Sequence, residues 1–477
     1  VTLIDQPGTT GTPLTESRDP DGSRPITIVD PQDGSTVGTV HSADEGDVAA
    51  AVQAARRAAE GWAATAPAAR GALLHAMADA LAARADEVAA LNTRETGKPA
   101  GDARGGVDAA VGTLRQYAEL GPLHRTHSLR GADVAIDYTR PEPRGVVAAV
   151  TPWNDPVAVA AGLVGAALVT GNTVVHKPSE RCPHVGRLLG EIWSSPLPEG
   201  VLTTLTGDGR TGAQLVGSAG VDVVAHVGST ATGRAIAAEA LRTGAHTILE
   251  NGGNDALLVD ADVDPAWAAA QAALGAYANS GQICTSVERI YVHADVADAF
   301  VEALVAEAEQ RNADGMAPLV DTRMRAEVHR QVAAAQQAGA RVLVGGEVPA
   351  GPGAHYPATV VVDVASDTDL VREETFGPVA PVQVVASFTE GLDRAVASRY
   401  GLAATVLTGS LEHTTEAVRR LPVGTVKVNA VFGGAPGGAA EPRGASGHGF
   451  GYGPELLDEM TTRKVVHIGR PVLRTQA

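Results

Sequence analysis

Three rhythms of apolar and polar positions run along the chain. Residues 26–40 alternate apolar and polar around Asp33-Gly34, which predicts a hairpin. Ala-rich stretches at 45–63 and 67–96 repeat their apolar positions at helical spacing, and Gly97-Lys98-Pro99 stops the second. A further helix is expected at 107–120. From residue 145 the grammar changes to short, wholly apolar runs at 145–150, 173–176, 201–206 and 221–227, with helices between them, one starting near Pro183. A second series begins near Thr247, with strands at 256–259 and 289–292, a helix at 267–277 and a long helix from Val296. Strands alternating with helices predict an α/β fold with a parallel, doubly wound sheet. Residues 157–169 are the most apolar stretch, too short to span a bilayer, and read as a buried helix. The first 25 or so residues read as a loose arm. The Gly/Pro-rich stretch 433–453 reads as a functional loop, and 464–468 as the last strand.

Length and charge narrow the picture. A chain of 477 residues predicts two or three domains. With aromatics at 3%, the core must lean on Val, Leu and Ala. A net charge of −18 repels phosphate backbones, so no nucleic-acid partner is expected. No membrane partner and no metal site are expected either. Two cysteines far apart, Cys182 and Cys284, are no disulfide framework. Residues 1–20 lack the basic start and apolar core of a signal peptide, so a cytoplasmic protein is expected.

Several motifs fall where strands end. Cys284 sits in Asn279-Ser-Gly-Gln-Ile-Cys-Thr-Ser286. At a helix start, the dipole there would favour the nucleophilic thiolate. Glu250, before Gly252 and Gly253, could serve as a general base for water. Thr151-Pro-Trp153-Asn154 follows a buried strand, where doubly wound sheets form their ligand crevice, and the Asn154 amide could donate to an oxyanion. Lys177-Pro-Ser179-Glu180 could grip ribose hydroxyls, and Gly228-Ser229 opens a helix suited to phosphate. Glu374 and Phe376 place an acid and a ring before a Gly-Pro turn. Each signal taken alone also fits a bland role: an inert buried cysteine, a solvated acid, a turn residue or a helix cap.

In combination and order, Asn154, Lys177, Gly228-Ser229, Glu250, Cys284 and Glu374-x-Phe376 resemble the aldehyde dehydrogenase superfamily, from Glu95-Thr-Gly-Lys-Pro99 to the last strand. The resemblance implies an NAD(P)-binding domain (1–123 and 145–249), an α/β catalytic domain (250–445) and a small β oligomerisation arm (124–144 and 446–477) that builds dimers or tetramers. It implies that Cys284 attacks an aldehyde, that Asn154 holds the oxyanion, and that Glu250 activates the hydrolytic water. It places Thr151, Trp153, Lys177, Ser179, Glu180, Gly228, Ser229, Gly252, Glu374 and Phe376 around the cofactor, with NAD favoured over NADP because Glu180 would repel a 2′-phosphate. The chain departs from the common pattern at Asn251, Asp155, Ala278, His448-Gly449, Pro454 and Pro442-Arg443-Gly444-Ala445. Asp155, Ala278 and Arg443 stand where aromatics commonly line the aldehyde tunnel, so Asp155 and Arg443 are expected to bind a polar or charged aldehyde, or else to pair with each other, or Arg443 to turn to solvent from a mobile loop. Two other readings are a CoA-acylating enzyme, which would lack the base Glu250, and a catalytically silent protein on the same fold.

Overall fold

Runs such as Val146–Val150 are buried on both faces because helices cover both sides of the sheet they build. The computed structural model describes residues 25–433 and 438–471. The expected N-terminal arm lies outside them, as does part of the 433–453 loop.

The chain opens with the antiparallel hairpin β1 (Pro25–Val29) and β2 (Thr36–His41). Four helices follow: α1 (Glu45–Ala64), α2 (Pro67–Ala83), α3 (Ala85–Thr96) and α4 (Ala100–Leu120). The single helix expected over 67–96 is therefore two. It breaks at Arg84, at φ −114° and ψ 19°, and Asp86 and Glu87 fill the first turn of the new helix, where the dipole favours acids. Helix α4 starts earlier than expected, at Ala100; Gly101, Gly105 and Gly106 disguise its first turns.

Strands β3 (His127–Leu129) and β4 (Ile136–Pro143) precede the first α/β series: β5 (Val146–Val150), α5 (Pro156–Val169), β6 (Thr173–Lys177), α6 (Pro183–Ser194), β7 (Leu202–Thr204), α7 (Gly209–Val216), β8 (Val223–Val227), α8 (Thr230–Thr243) and β9 (His246–Glu250). As expected, α5 is a buried helix. The second series is β10 (Asp255–Val259), α9 (Pro265–Tyr277), β11 (Val287–His293), β12 (Arg341–Val344), β13 (Thr359–Val362), β14 (Val379–Val385), β15 (Tyr400–Gly401), β16 (Ala403–Leu407) and β17 (Thr425–Val428), with further helices between. Short strands β18 (Arg443–Gly444) and β19 (Gly447–His448) and the long β20 (Thr461–Ile468) finish the chain.

The first sheet runs β19-β9-β8-β5-β6-β7, parallel except for β19. The second runs β12-β13-β14-β11-β10-β16-β17, parallel except for β12. Strand β20 joins β4 and β3 in a separate antiparallel sheet whose outward Leu129, Ile136, Val465 and Ile468 are exposed. The C-terminal stretch expected wholly in that arm divides instead. Strand β19 pairs with β9, and Leu456, Leu457 and Met460 bury into the core of the first sheet; only β20 belongs to the arm. No described helix is long and apolar enough to cross a membrane.

Candidate active site

In the first sheet the strand order reverses between β5 and β8. Ligand crevices of doubly wound sheets open at the carboxyl ends of the strands at such a point. Beyond β5, Thr151 N donates to Lys177 O at 3.2 Å and its hydroxyl meets His176 Nε2 at 2.9 Å. Beyond β6, the Lys177 ammonium is buried 3.8 Å from Glu180, and burial lowers its pKa. Ser179 Oγ accepts from Arg181 N at 3.3 Å. Beyond β8, Gly228 N donates to Glu250 O at 3.0 Å, and Ser229 caps α8 through Thr232 N at 3.3 Å. A buried cation with one long ionic contact, a half-exposed carboxylate and a capped helix N-terminus fit the ribose hydroxyls and phosphates of a dinucleotide. Among the described residues no cluster suits a metal.

The second sheet offers its opposite edge. Asp255 begins β10, Cys284 precedes β11, and Glu374 and Phe376 precede β14. The site therefore lies between the carboxyl end of one sheet and the amino end of the other. Asn154 bridges them: its Nδ2 donates to Gln282 O at 3.1 Å, two residues before Cys284. The Trp153 and Phe376 rings meet edge to face at 5.5 Å, and the Arg181 guanidinium, paired with Asp321, lies 5.1 Å from the centre of the Trp153 ring.

Cys284 does not stand at a helix start. It sits in a turn between the 3-10 helix Ala278–Gly281 and β11, so no helix dipole supports its thiolate. Burial pushes the thiol well up, and the charges of Glu250, Asp255 and Glu374 push it further; Lys427 alone of its strong neighbours opposes them. Glu250 Oε1 stands 3.8 Å from Cys284 Sγ, and burial raises its carboxyl pKa. A side chain at Gly451 would come within 2.5 Å of Glu250 Oε2, so a glycine is needed where the C-terminal loop crosses the acid. Cys182 is fully buried beneath Pro152.

Glu374 Oε1 accepts from Gly253 N at 2.9 Å, and burial raises its carboxyl to about 7. A Cβ at Gly252 would fall 2.1 Å from Glu374 Oε2, so Gly252 makes room for the acid. Phe376 takes a φ of +52°, unusual for an aromatic residue. Glu288, buried in β11, holds that turn by accepting from Thr375 N at 2.9 Å and Phe376 N at 2.8 Å.

Asp155 and Arg443 do not pair. Asp155 takes Lys98 as its partner at 3.0 Å. Arg443 is exposed on β18, opposite Gly401, and makes no ion pair with the described residues. In that loop the buried anchor is Ser446, whose hydroxyl donates to Gly252 O at 2.8 Å and accepts from Gly401 N at 3.1 Å. Asn251 reinforces it, donating from Nδ2 to Ala445 O at 3.2 Å. His448 faces Thr247, and Pro454 precedes the short helix Glu455–Glu459. Sequence reasoning missed Lys98, Asp255, Glu288, Lys427 and Ser446. Asp255 and Glu288 carried a usable signal, since an acid inside an apolar strand needs partners.

The model of the aldehyde dehydrogenase family matches residues 18–466. The chain is 37% identical to the 3,6-anhydro-alpha-L-galactose dehydrogenase of Streptomyces coelicolor, over 94% of each chain. It is 35% identical to the NAD(+) benzaldehyde dehydrogenase of Pseudomonas putida, over 91% of each. Its structure matches that of an NAD-dependent aldehyde dehydrogenase from Sinorhizobium meliloti with a TM-score of 0.91 at 32% identity, covering 96% of this chain and 94% of that one. The chain belongs to the aldehyde dehydrogenase family, whose members oxidise aldehydes with NAD or NADP.

Proposed function

We propose that this enzyme oxidises a polar, hydroxylated aldehyde to its carboxylate, with NAD as the favoured cofactor. Cys284 gives its proton to Glu250, the acid facing its thiol, and the sulfur adds to the aldehyde carbon. Asn154 Nδ2 and the Cys284 N–H hold the resulting oxyanion. The nicotinamide cofactor, when bound, accepts the hydride that leaves the thiohemiacetal. Glu250 then releases the thiol proton to solvent. The thioester that remains is cleaved by water whose proton passes to the freed carboxylate and on to the departing Cys284 sulfur, releasing the carboxylic acid and restoring the thiol. Lys177, Ser179, Glu180 and the Ser229 helix end hold the adenosine half and pyrophosphate; Glu374 and Phe376 hold the nicotinamide end. Glu250 weighs against a CoA-acylating enzyme, in which CoA rather than water takes the acyl group. The β20-β4-β3 sheet, with its exposed apolar residues, is the surface for a homodimer or homotetramer, and a free catalytic thiol suits the reducing cytoplasm.

The observation that carries the polar substrate is the Lys98–Asp155 ion pair directly after Asn154. A charged pair there suits hydroxyl groups rather than an alkyl chain. A relative named for a sugar-derived aldehyde is consistent with it. Arg443, exposed on β18, takes no part in this reading. Steady-state rates with glyceraldehyde, propanal and hexanal, with NAD and NADP and with and without CoA, test it. Higher kcat/KM for glyceraldehyde supports the reading; a preference for hexanal over every hydroxylated aldehyde overturns it.

A further inference from the structure

Asp155 stands at the N-cap of α5, a position where an aspartate ordinarily accepts from the first free N–H groups of its helix. It makes no such bond. Its Oδ1 instead takes the ammonium of Lys98 at 3.0 Å, and its Oδ2 has no partner among the described residues. The same ammonium donates to the main-chain carbonyl of Asn154 at 3.2 Å. One cation thus holds both the residue offered as oxyanion donor and the residue after it.

Lys98 can do this because its own corner is fixed. Gly97 ends α3 at φ +74°, and a side chain there would come within 2.6 Å of Pro318. Thr96 Oγ1 accepts from Lys98 N at 3.3 Å. Glu95, fully buried, accepts from His184 N and Val185 N at 3.0 and 2.8 Å, so the corner is also tied to the start of α6. Gly106 on α4 supplies the space: a Cβ there would sit 3.0 Å from Asp155 Oδ1. The Lys98 side chain is only 10% exposed and Asp155 is 37% exposed, so the cation is the buried member and the carboxylate faces outward.

We propose that Lys98 is a positioning residue for this reaction: it fixes the Asn154 main chain and aims Asp155 so that Oδ2 accepts a hydrogen bond from a substrate hydroxyl. The second half rests on the polar-aldehyde reading above; the first half does not. A charge-assisted acceptor held from behind discriminates strongly, because an aldehyde without the hydroxyl leaves it unpaired.

The test measures kcat and KM separately for glyceraldehyde and propanal in wild type, Lys98→Arg, Lys98→Met and Asp155→Ala, with thermal melting and NAD affinity by fluorescence quenching as readouts besides activity. Lys98→Met is expected to lower kcat with both aldehydes by about tenfold or more while NAD affinity holds, and Lys98→Arg to recover most of it. Asp155→Ala is expected to raise KM for glyceraldehyde about tenfold more than for propanal. Should Lys98→Met fail to fold, Lys98→Gln, which keeps a neutral donor, carries the same comparison. Unchanged kcat in a Lys98 variant with a lowered melting temperature overturns the positioning role. Equal KM changes with the two aldehydes overturn the role of Asp155. A wild type that prefers propanal overturns the substrate reading, while kcat of the Lys98 variants still decides the positioning role.

Discussion

Glu250 Oε1 faces the Cys284 thiol across 3.8 Å, with the Gly451 main chain closing over the other carboxylate oxygen. An acid so placed can take the thiol proton and, after releasing it, a proton from water attacking the same carbon. Burial raises its pKa, so the base form grows as pH rises through that raised value, and thioester hydrolysis should rise with it. Glu250→Gln removes the base at the thiol but also the charge that helps raise the thiol pKa, whereas hydrolysis only loses its base. Hydrolysis is therefore expected to slow more than reduction of the cofactor, leaving a burst of NADH and a trapped acyl group on Cys284. Rapid-mixing absorbance and intact mass spectrometry read both. Equal loss of burst and steady-state rate would count against this role.

The two cysteines should behave as opposites. Cys284 is partly open to its cleft, whereas Cys182 is fully buried at the start of α6, beneath Pro152. Cys284→Ala is expected to abolish turnover with NAD binding retained. Cys182→Ala keeps turnover and loses about 1 kcal/mol or less of stability, since only a small sulfur is removed. Chemical denaturation and initial rates check the pair; dependence of turnover on Cys182 would sink the assignment.

Lys427 is the counter-charge in a crowd of acids. It lies on β17, donates to Val431 O at 2.8 Å, sits 5.5 Å from the centre of the Phe432 ring, and is in electrostatic reach of both Asp255 and Cys284. Removing it leaves Cys284 facing Glu250, Asp255 and Glu374 without opposition. Lys427→Met is expected to move the pH profile of iodoacetamide alkylation at Cys284 upward, with Lys427→Arg close to wild type. An unmoved profile in a folded Lys427→Met protein rules out the electrostatic role.

Much of this was legible in the chain because parallel strands buried on both faces read as unbroken apolar runs, and because Asn154, Glu250 and Cys284 each sit beside a strand end. What was not legible depends on pairs that only the tertiary fold creates. Lys98 meets Asp155 across the α3–α4 corner, far away in sequence. The turn at Cys284 looks like a helix start in its small, polar residues, yet Asn279 and Ser280 take left-handed φ of 48° and 54°. In the C-terminal loop Arg443 stands out because it replaces a common tunnel aromatic, whereas Ser446, an ordinary hydroxyl with no such signal, makes the buried contacts.

Glu374 should make cofactor binding depend on pH. Burial raises its carboxyl to about 7, so the neutral acid prevails below that value and the carboxylate above it. Only the carboxylate offers both oxygens as acceptors to ribose hydroxyls. Binding therefore favours loss of the proton, and NAD affinity is expected to strengthen as pH rises from 6 to 8, on the order of a few-fold. Glu374→Gln should bind more weakly and show a flatter profile by fluorescence titration. A wild-type affinity that falls over this range would exclude the role.

The choice between NAD and NADP turns on Glu180. Its carboxylate lies 3.8 Å from the Lys177 ammonium, which is buried while Glu180 is 40% exposed. That exposure leaves the acid open to ribose hydroxyls, which a sealed carboxylate could not reach. Two hydroxyls donate to a carboxylate; a 2′-phosphate brings negative charge within a few ångströms of it and is repelled. Lys177 cannot cancel this by itself, since burial and the contact with Glu180 already occupy it. Glu180→Gln removes the repulsion but keeps an acceptor for a hydroxyl, so it should improve NADP more than it harms NAD. The ratio of kcat/KM for NAD over NADP is expected to fall by about tenfold, mostly through KM of the cofactor. Glu180→Ala loses the acceptor as well, so NAD should weaken while NADP gains. If wild type already uses NADP better than NAD, or if neither variant moves the ratio, Glu180 does not set the preference and the carboxylate must point away from the bound ribose.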